Sequence, residues 1–343
     1  GRKYNVSAKS KFADKSYVIL ANDNRGRMAA LVERLDAQGI EMFTNDAPLK
    51  VARATTQLGS EERGFTIPEG SLIIPNRQPD APLVAAILEF DAEVRKSVLV
   101  EERQRTLRDG SSLMYDTTAW NFSMMYGLPA VTVPEHLNQG LQPWRSAAPT
   151  IDVTAEAIAW SVSGEDDRSV AFAARLMESG VQVRIIDKAT ELSGNSLSRG
   201  SVFVTAMDNP KLDNLTDLIT AEAEHLQLTV QSIGSGYGDG DLPDWGGSHF
   251  RLLTRPQIAI LSQAGFSSYD VGSSWWAIDT HLGIRHSQID TSYLSRADLR
   301  RYNTIVIPNG YRPMSGAELG ALRDWVKQGG TLVAHDNLSL IHI

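Results

Sequence analysis

Cysteine is absent from the 343 residues of this chain. Disulfide bonds, thiolate metal sites and a cysteine nucleophile are therefore excluded within it. Basic residues are in the minority, with 33 Lys and Arg against 41 Asp and Glu and a net charge of −8. This balance argues against a nucleic-acid partner, which requires a clustered basic face. Since no apolar run approaches the roughly 20 residues that cross a bilayer, we also expect no membrane span.

The length predicts two or three compact units, and a hydrophobic content of 42% is typical of a globular protein. The chain begins with Gly rather than Met, and its last six residues, LSLIHI, resemble the translation of an adapter used in sequencing libraries. We therefore expect a fragment of a longer protein. Its natural sequence is expected to stop near Asn337, with 338–343 as an adapter-derived tail.

Strand and helix patterns alternate along the chain. KSYVILANDN is typical of a strand, and the following helix ends before Gly39. That helix carries apolar residues at i, i+3, i+4 and i+7, namely Met28, Leu31, Val32 and Leu35. IEMF and GSLIIP predict further strands, and a helix is predicted from about Ala81.

The same order returns after residue 150, which predicts an internal duplication. AIAWSVS is the strand, and the helix stripe consists of Val170, Ala173, Ala174 and Met177. GVQVRII corresponds to GIEMF, and GSVFVTAMDNP corresponds to GSLIIPNRQP. We expect two related α/β lobes at 1–110 and 151–233, an aromatic segment between them at 111–150, and a glycine-rich linker at 234–255.

A third unit is expected at 256–337. QIAIL predicts a strand, Gly272 to His281 a helix and Arg285 to Ile289 a strand; NTIVIP, Leu319 to Lys327 and TLVAH continue the alternation. Strands interleaved with helices predict a parallel sheet covered on both faces, in a flavodoxin-like arrangement that is truncated at its C-terminus.

Polar residues follow the first strand of each unit and form the candidate ligand site. They are Asn22, Asn24 and Arg25 in the first unit, Ser163 in the second, and Gln263 and Ser267 in the third. Ligands of doubly wound sheets bind where strands end and helices begin. No turn matches GxGxxG or a phosphate-binding loop, so a small polar ligand is one interpretation and helix capping by the same side chains is the other. His335 follows the last predicted strand and is either a ligand residue or a polar strand end.

Histidine spacing argues against a metal site in this segment. The seven histidines form no HxxxH and no HxxE pair, whereas zinc requires ligands that converge on one point.

The stretch MYDTTAWNFSMMYGLPA, Met114 to Ala130, combines aromatic, methionine and polar residues without helical or strand periodicity. Asp116 suits a helix cap more than a general acid, since no histidine is near in sequence. We predict that Asp116 binds backbone N–H groups and that Trp120, Phe122 and Tyr126 are mostly buried as an anchor between lobes.

Several ordered motifs together resemble the region downstream of the catalytic domain in large bacterial zinc carboxypeptidases of the carboxypeptidase A-like family. They are PEGSLIIPNRQP, MYDTTAWNFSMMYGL, RPQIAIL with FSSYDVGSSWWAIDTHLGI, and DLRRYNTIVIPNGY with LRDWVKQGGTLVAH. The last group is similar to the class I glutamine amidotransferase-like domain that follows those peptidases. The family's zinc site uses HxxE and a later His, and no HxxE exists here.

The resemblance implies a non-catalytic accessory region of a secreted or periplasmic metallopeptidase, with zinc in the upstream domain and no cofactor in this segment. That upstream peptidase domain is the expected partner, with peptide or cell-wall material as possible ligands. Two alternatives stay open: an independent module that binds a small ligand or peptide, and a hydrolase that acts through His335 and residues lost by truncation.

Overall fold

The computed structural model describes residues 1–91, 94–112, 121–154, 156–263, 265–310 and 314–335. The chain divides into two compact units, Gly1–Ala147 and Ala148–Ile343. The predictions for Asp116, for Trp120 and for the tail at 338–343 lie outside the described residues.

The first unit is mixed α/β. Its described elements are α1 (Arg2–Asn5), β1 (Ser16–Ile19), α2 (Arg25–Asp36), β2 (Phe43–Asn45), β3 (Leu49–Lys50), β4 (Arg53–Thr56), β5 (Glu61–Arg63), β6 (Thr66–Ile67), β7 (Leu72–Pro75), α3 (Ala81–Leu88), α4 (Lys96–Asp109), α5 (Phe122–Met125), β8 (Ala130–Val133) and β9 (Leu141–Pro143).

Its main sheet has seven strands in the order β5-β4-β8-β1-β7-β2-β9, and the neighbouring strands are antiparallel. The chain passes through the centre of this sheet as β1, α2, β2, β7, α3 and β8. β7 lies between β1 and β2, the two strands that α2 joins, which makes this a split βαβ arrangement. The sheet is therefore antiparallel although its strands and helices alternate in sequence.

Alternate residues of the central strands face opposite sides of this sheet. Tyr17 and Ile74 belong to one buried cluster with α2 and α3, while Val18 and Ile73 belong to a second cluster. The stripe predicted for α2 is confirmed, since Met28, Leu31 and Leu35 are buried and Val32 is half-buried.

Two other predictions concern the last part of the first unit. Phe122 and Tyr126 are mostly buried, as predicted, and pack against the core of the first unit with ring centroids 6.4 Å apart. The segment 111–150, predicted to lie between lobes, supplies β8 and β9 to the first sheet. β8 consists of four buried residues beside β1, and this long-range pairing is not visible in the local pattern.

The second unit contains an antiparallel lobe and a parallel sheet. Its described elements are β10 (Ala159–Val162), α6 (Arg168–Glu178), β11 (Arg184–Ile186), β12 (Thr190–Leu192), β13 (Asn195–Leu197), β14 (Val202–Thr205), α7 (Leu215–Leu226), β15 (Gln231–Ile233), β16 (Phe250–Leu252), β17 (Ile258–Ser262), α8 (Ser268–Trp276), a π-helix (Ala277–Leu282), β18 (His286–Asp290), two 3-10 helices (Thr291–Arg296 and Leu299–Arg301), β19 (Thr304–Ile307), α9 (Gly316–Lys327) and β20 (Thr331–Ala334).

The lobe of the second unit has five antiparallel strands in the order β15-β10-β14-β11-β16. The chain passes through it as β10, α6, β11, β14, α7 and β15, again a split βαβ arrangement. This order corresponds strand by strand to β8-β1-β7-β2-β9 of the first unit. The two lobes therefore share a topology of five strands and two helices.

Two buried hydroxyls occupy corresponding positions in these lobes. Ser71 accepts a hydrogen bond from the backbone N–H of Ala21 at 3.1 Å. Ser201 likewise accepts one from the backbone N–H of Gly164 at 3.2 Å. Each bond joins the residue before a central strand to the loop that leaves the first strand of its lobe.

Two buried amides also correspond. Gln78 accepts a hydrogen bond from the backbone N–H of Glu41 at 2.8 Å and donates one to the Glu41 carbonyl at 3.3 Å. Asn209 accepts from the N–H of Gln182 at 2.7 Å and donates to its carbonyl at 3.0 Å. In both lobes this amide fixes the segment between the first helix and the next strand.

The glycine-rich segment 234–255, predicted as a linker, supplies the edge strand β16 to the lobe of the second unit. Phe250 in this strand is buried, and its ring lies 5.0 Å from that of Phe203. A further difference concerns α6, where Val170 of the predicted stripe is exposed, and Phe172 and Leu176 enter the core instead.

The remaining four strands form a parallel sheet in the order β18-β17-β19-β20. Parallel pairing is thus confirmed for the third predicted unit. The helix predicted at Gly272 to His281 begins earlier, at Ser268, and passes into the π-helix at Ala277.

Within the second unit, the lobe and the parallel sheet share a hydrophobic core. Ala174 of α6 packs in one buried cluster with Ile260 of β17 and Ile278 of the π-helix. Beside this cluster, Glu178 forms ion pairs with Arg285 at 2.8 Å and with Arg255 at 3.6 Å. These contacts explain why the lobe and the sheet belong to one compact unit.

Candidate functional site

The candidate site is the edge of the parallel sheet at which its strands end. Because all four strands are parallel, their carboxyl ends meet at the same edge. We call this the carboxyl edge and define it by Gln263 after β17, Ser267 before α8, Asn309 after β19 and His335 after β20. β17 has β18 on one side and β19 on the other, so the strand order reverses between β17 and β19. Ligands of open α/β sheets bind at such a reversal.

The loops on either side of the reversal are joined directly. The backbone N–H of Ser267 donates to the carbonyl of Asn309 at 3.0 Å. Phe266 forms an antiparallel bridge with Gly310, and its side chain is buried. The two loops therefore hold the carboxyl edge as one connected surface.

Gln263 occupies a backbone conformation that side chains rarely adopt. Its φ is +73°, in the left-handed region, and the residue is exposed. This region costs a residue other than glycine roughly 1 to 2 kcal/mol. Strain of this kind clusters at functional sites, and here it occurs at an exposed residue directly after the central strand β17.

Ser267 and His335 have different surroundings at the same edge. The hydroxyl of Ser267 accepts from the backbone N–H of Asp270 at 3.4 Å and caps α8. His335 is exposed, and its backbone N–H donates to the carbonyl of Ile307 at 3.0 Å. The backbone of His335 is thus still paired with the neighbouring strand, and the residue itself is exposed.

The other predicted site residues lie on different sheets. Asn22 accepts from the backbone N–H of Asn24 at 3.1 Å, and Asn24 accepts from that of Arg27 at 3.0 Å to cap α2. Arg25 is exposed. The hydroxyl of Ser163 accepts from the N–H of Glu165 at 3.2 Å. The capping interpretation is therefore confirmed for Asn24, and only Gln263, Ser267 and His335 share an edge.

Sequence reasoning missed an exposed aromatic surface on α8, which we call the aromatic face and define by Tyr269, Gly272, Trp276 and His281. Tyr269 is 88% exposed and Trp276 is 52% exposed. They are seven residues apart, two helical turns, and so lie on the same side of α8. The ring of His281 stacks on that of Trp276, with centroids 5.4 Å apart and planes inclined by 23°.

Gly272 lies between the two exposed rings on this face. A Cβ at Gly272 would meet no atom within 4 Å, so packing inside the chain does not require a glycine there. Glycine in a helix costs about 1 kcal/mol relative to alanine. The signal available in the sequence was the i, i+3, i+7 spacing of Tyr269, Gly272 and Trp276.

Shifted pKa values occur at ion pairs outside the carboxyl edge. Arg184 donates from Nε and Nη2 to the carboxylate of Asp208 at 2.7 and 2.8 Å. These bonds hold the pKa of Asp208 below its ordinary value and raise that of Arg184. The hydroxyl of Thr205 donates to the same carboxylate at 2.7 Å. This pair links β11 to the loop after β14 and has a structural role.

Within the described ranges, no group of three His, Asp or Glu side chains is arranged to hold a metal ion. Among the described helices, none combines the length and the apolar character that crossing a bilayer requires.

Comparison with protein-family models, with curated proteins and with solved structures found no match to this chain.

Proposed function

We propose that this chain is a non-catalytic accessory region of a protein similar to bacterial zinc carboxypeptidases. In this proposal the two lobes are a scaffold, and the parallel-sheet domain binds peptide or cell-wall material. The parent protein would hydrolyse peptides with zinc bound in a domain upstream of this chain, in the periplasm or outside the cell. The motifs quoted above from PEGSLIIPNRQP to LRDWVKQGGTLVAH motivate the proposal.

The proposal includes a duplication that produced the two lobes. Its support is the shared five-strand order, together with the matched hydrogen bonds of Ser71 and Ser201 and of Gln78 and Asn209.

A flavodoxin-like, amidotransferase-like origin is proposed for the parallel sheet. Its support is the order β18-β17-β19-β20. In this order β18, the next strand along the chain, lies on one side of β17, and β19 and β20 lie on the other side.

The aromatic face is the observation that carries the binding role. Large aromatic side chains stabilise a protein most when they are buried, and exposed groups of them mark interaction surfaces. Tyr269 and Trp276 are both exposed, with an open glycine between them. Ring faces of this kind stack against the apolar faces of sugars and against peptide side chains.

A second candidate function is the binding of a small polar ligand by an independent module. The strained, exposed Gln263 at the reversal of strand order favours it. A hydrolase that acts through His335 stays a prediction, because the residues after His335 lie outside the described ranges.

Binding assays on the 343-residue chain test the proposed role. Sedimentation with insoluble peptidoglycan and titration with peptides released from it are compared for the unsubstituted chain and for Trp276→Ala. Tyr237→Ala is a matched control, since Tyr237 is 80% exposed and lies outside the aromatic face. We expect Trp276→Ala to lose at least about tenfold in affinity, or about 1.4 kcal/mol, and Tyr237→Ala to retain it. Equal binding by all three proteins, or none by any, would contradict the role.

A further inference from the structure

The hairpin of β4 and β5 distinguishes the first lobe from the second. Gly39 and Gly70 are 31 residues apart, whereas the corresponding Gly180 and Gly200 are 20 apart. In the first lobe the hairpin is inserted between the paired strands β3 and β6, while β12 and β13 pair as consecutive strands in the second. The insertion adds β4 and the edge strand β5 to the first sheet.

This hairpin borders an open surface cavity of about 410 Å³, and every residue that lines it is exposed. The volume lies within the range of small-molecule sites, roughly 300 to 1,000 Å³. Residues of the hairpin and of the segment after β8 form its lining, which consists of Ala52, Arg53, Glu61, Arg63, Pro134 and Glu135. The hairpin therefore forms one wall of this cavity.

The hairpin wall carries a surplus of positive charge. Arg53 Nη1 lies 3.5 Å from one carboxylate oxygen of Glu61, and Arg63 Nε lies 4.0 Å from the other. Two guanidinium groups thus share one carboxylate through loose contacts, and both side chains are more than half exposed. Each guanidinium retains N–H donors in the planar arrangement that suits a second carboxylate.

The other wall supplies a negative charge. Among the described residues, no cation lies within ion-pair distance of the Glu135 carboxylate. The backbone of Glu135 is fixed, since its carbonyl accepts a hydrogen bond from the buried Ser16 hydroxyl at 2.8 Å. The small apolar side chains of Ala52 and Pro134 complete the lining.

We propose that this cavity binds a zwitterion with an ammonium and a carboxylate, as carried by a free α-amino acid or a short peptide. The ligand carboxylate pairs with Arg53 and Arg63, and its ammonium pairs with Glu135. The cavity lies on the first sheet and not at the carboxyl edge, so this inference does not depend on the proposed function.

Isothermal titration of the 343-residue chain tests the inference, with L-alanine and L-alanyl-L-alanine as probes. N-acetyl-L-alanine lacks the ammonium, and L-alaninamide lacks the carboxylate. We expect at least one zwitterion to bind and both blocked analogues to bind roughly tenfold more weakly, or about 1.4 kcal/mol. The tighter of the two zwitterions identifies the source as an amino acid or a peptide. Absence of binding at millimolar concentration, or equal affinity for zwitterions and blocked analogues, would overturn the inference.

Substitutions in the cavity test which side chain pairs with the ammonium of the ligand and which pair with its carboxylate. Glu135→Gln is expected to weaken L-alanine binding roughly tenfold, or about 1.4 kcal/mol, and to leave N-acetyl-L-alanine binding unchanged. The double variant Arg53→Gln, Arg63→Gln should weaken L-alanine and leave L-alaninamide unchanged. Arg34→Gln, at an exposed position on α2, is the control and should bind as the unsubstituted chain does. A uniform loss for all ligands in the cavity variants would contradict the assignment.

Discussion

Ser201 lies fully buried beside Gly164, whose backbone N–H donates to the Ser201 hydroxyl at 3.2 Å. The backbones are so close here that a Cβ on Gly164 would overlap Gly200 and Ser201. This contact ties the end of β10 to the start of β14, the central partner strand in the lobe of the second unit.

Substitution of Ser201 by Ala is expected to destabilise the second unit. The change leaves the Gly164 N–H without its acceptor at a packed position, which costs about 1 to 3 kcal/mol. Urea unfolding measures the difference. Ser163→Ala is the control, because Ser163 is exposed and its substitution should change the free energy of unfolding by no more than about 0.5 kcal/mol. Equal stability of the two variants would show that the buried hydrogen bond has little effect.

The Arg184–Asp208 pair predicts a pH dependence of stability. The hydrogen bonds from Arg184 lower the pKa of folded Asp208 from 3.8. A carboxyl group whose folded pKa is depressed adds stability above its unfolded pKa, and this stability is lost as the pH falls through the folded pKa. The unsubstituted chain should therefore lose stability below about pH 4.

Asp208→Asn is the variant that isolates this effect. At pH 7 it should cost about 1.5 to 3 kcal/mol, because the carboxylate that accepts the Arg184 hydrogen bonds is replaced by a neutral amide. The difference in free energy of unfolding between the two proteins should shrink as the pH is lowered from 5 to 2. A difference that stays constant over this range would argue against the coupling of Asp208 to Arg184.

Two substitutions of Gln263 separate the cost of its backbone conformation from the effect of losing its side chain. Gln263→Gly removes the cost of the left-handed backbone, whereas Gln263→Ala removes the same side chain and keeps that cost. The Gly variant should therefore be about 1 kcal/mol more stable than the Ala variant in urea unfolding. If the Ala variant is as stable as the Gly variant, the backbone at this position is not strained.

Local patterns predicted many elements, because the relevant interactions lie within a few residues. The helix stripe of α2 and the strands around Ile260 and Val306 were recognisable from apolar spacing. Glu101 and Arg105 of α4 are also local partners: they form an i,i+4 ion pair at 3.7 Å, and α4 buries no residue.

Strand partners and edge strands were harder to predict from the sequence, because they depend on residues that are distant along the chain. β7 inserts between β1 and β2 because of tertiary pairing, which no periodicity encodes. Phe250 joins the sheet of the second unit from a stretch whose glycine content indicated a linker. At the carboxyl edge, the sequence predicted Gln263 and Ser267, but the contact of Ser267 with Asn309 depends on the neighbouring strand.

The most direct test of the central proposal measures the release of C-terminal amino acids from a synthetic peptide in the presence of zinc. The intact gene product, including whatever precedes this chain, is compared with the 343-residue chain alone. We predict zinc-dependent release by the intact product, abolished by a chelator, and none by the chain alone. Release by the chain alone, or an intact product without zinc-dependent release, would contradict the proposal that this chain is the accessory region of a metallocarboxypeptidase.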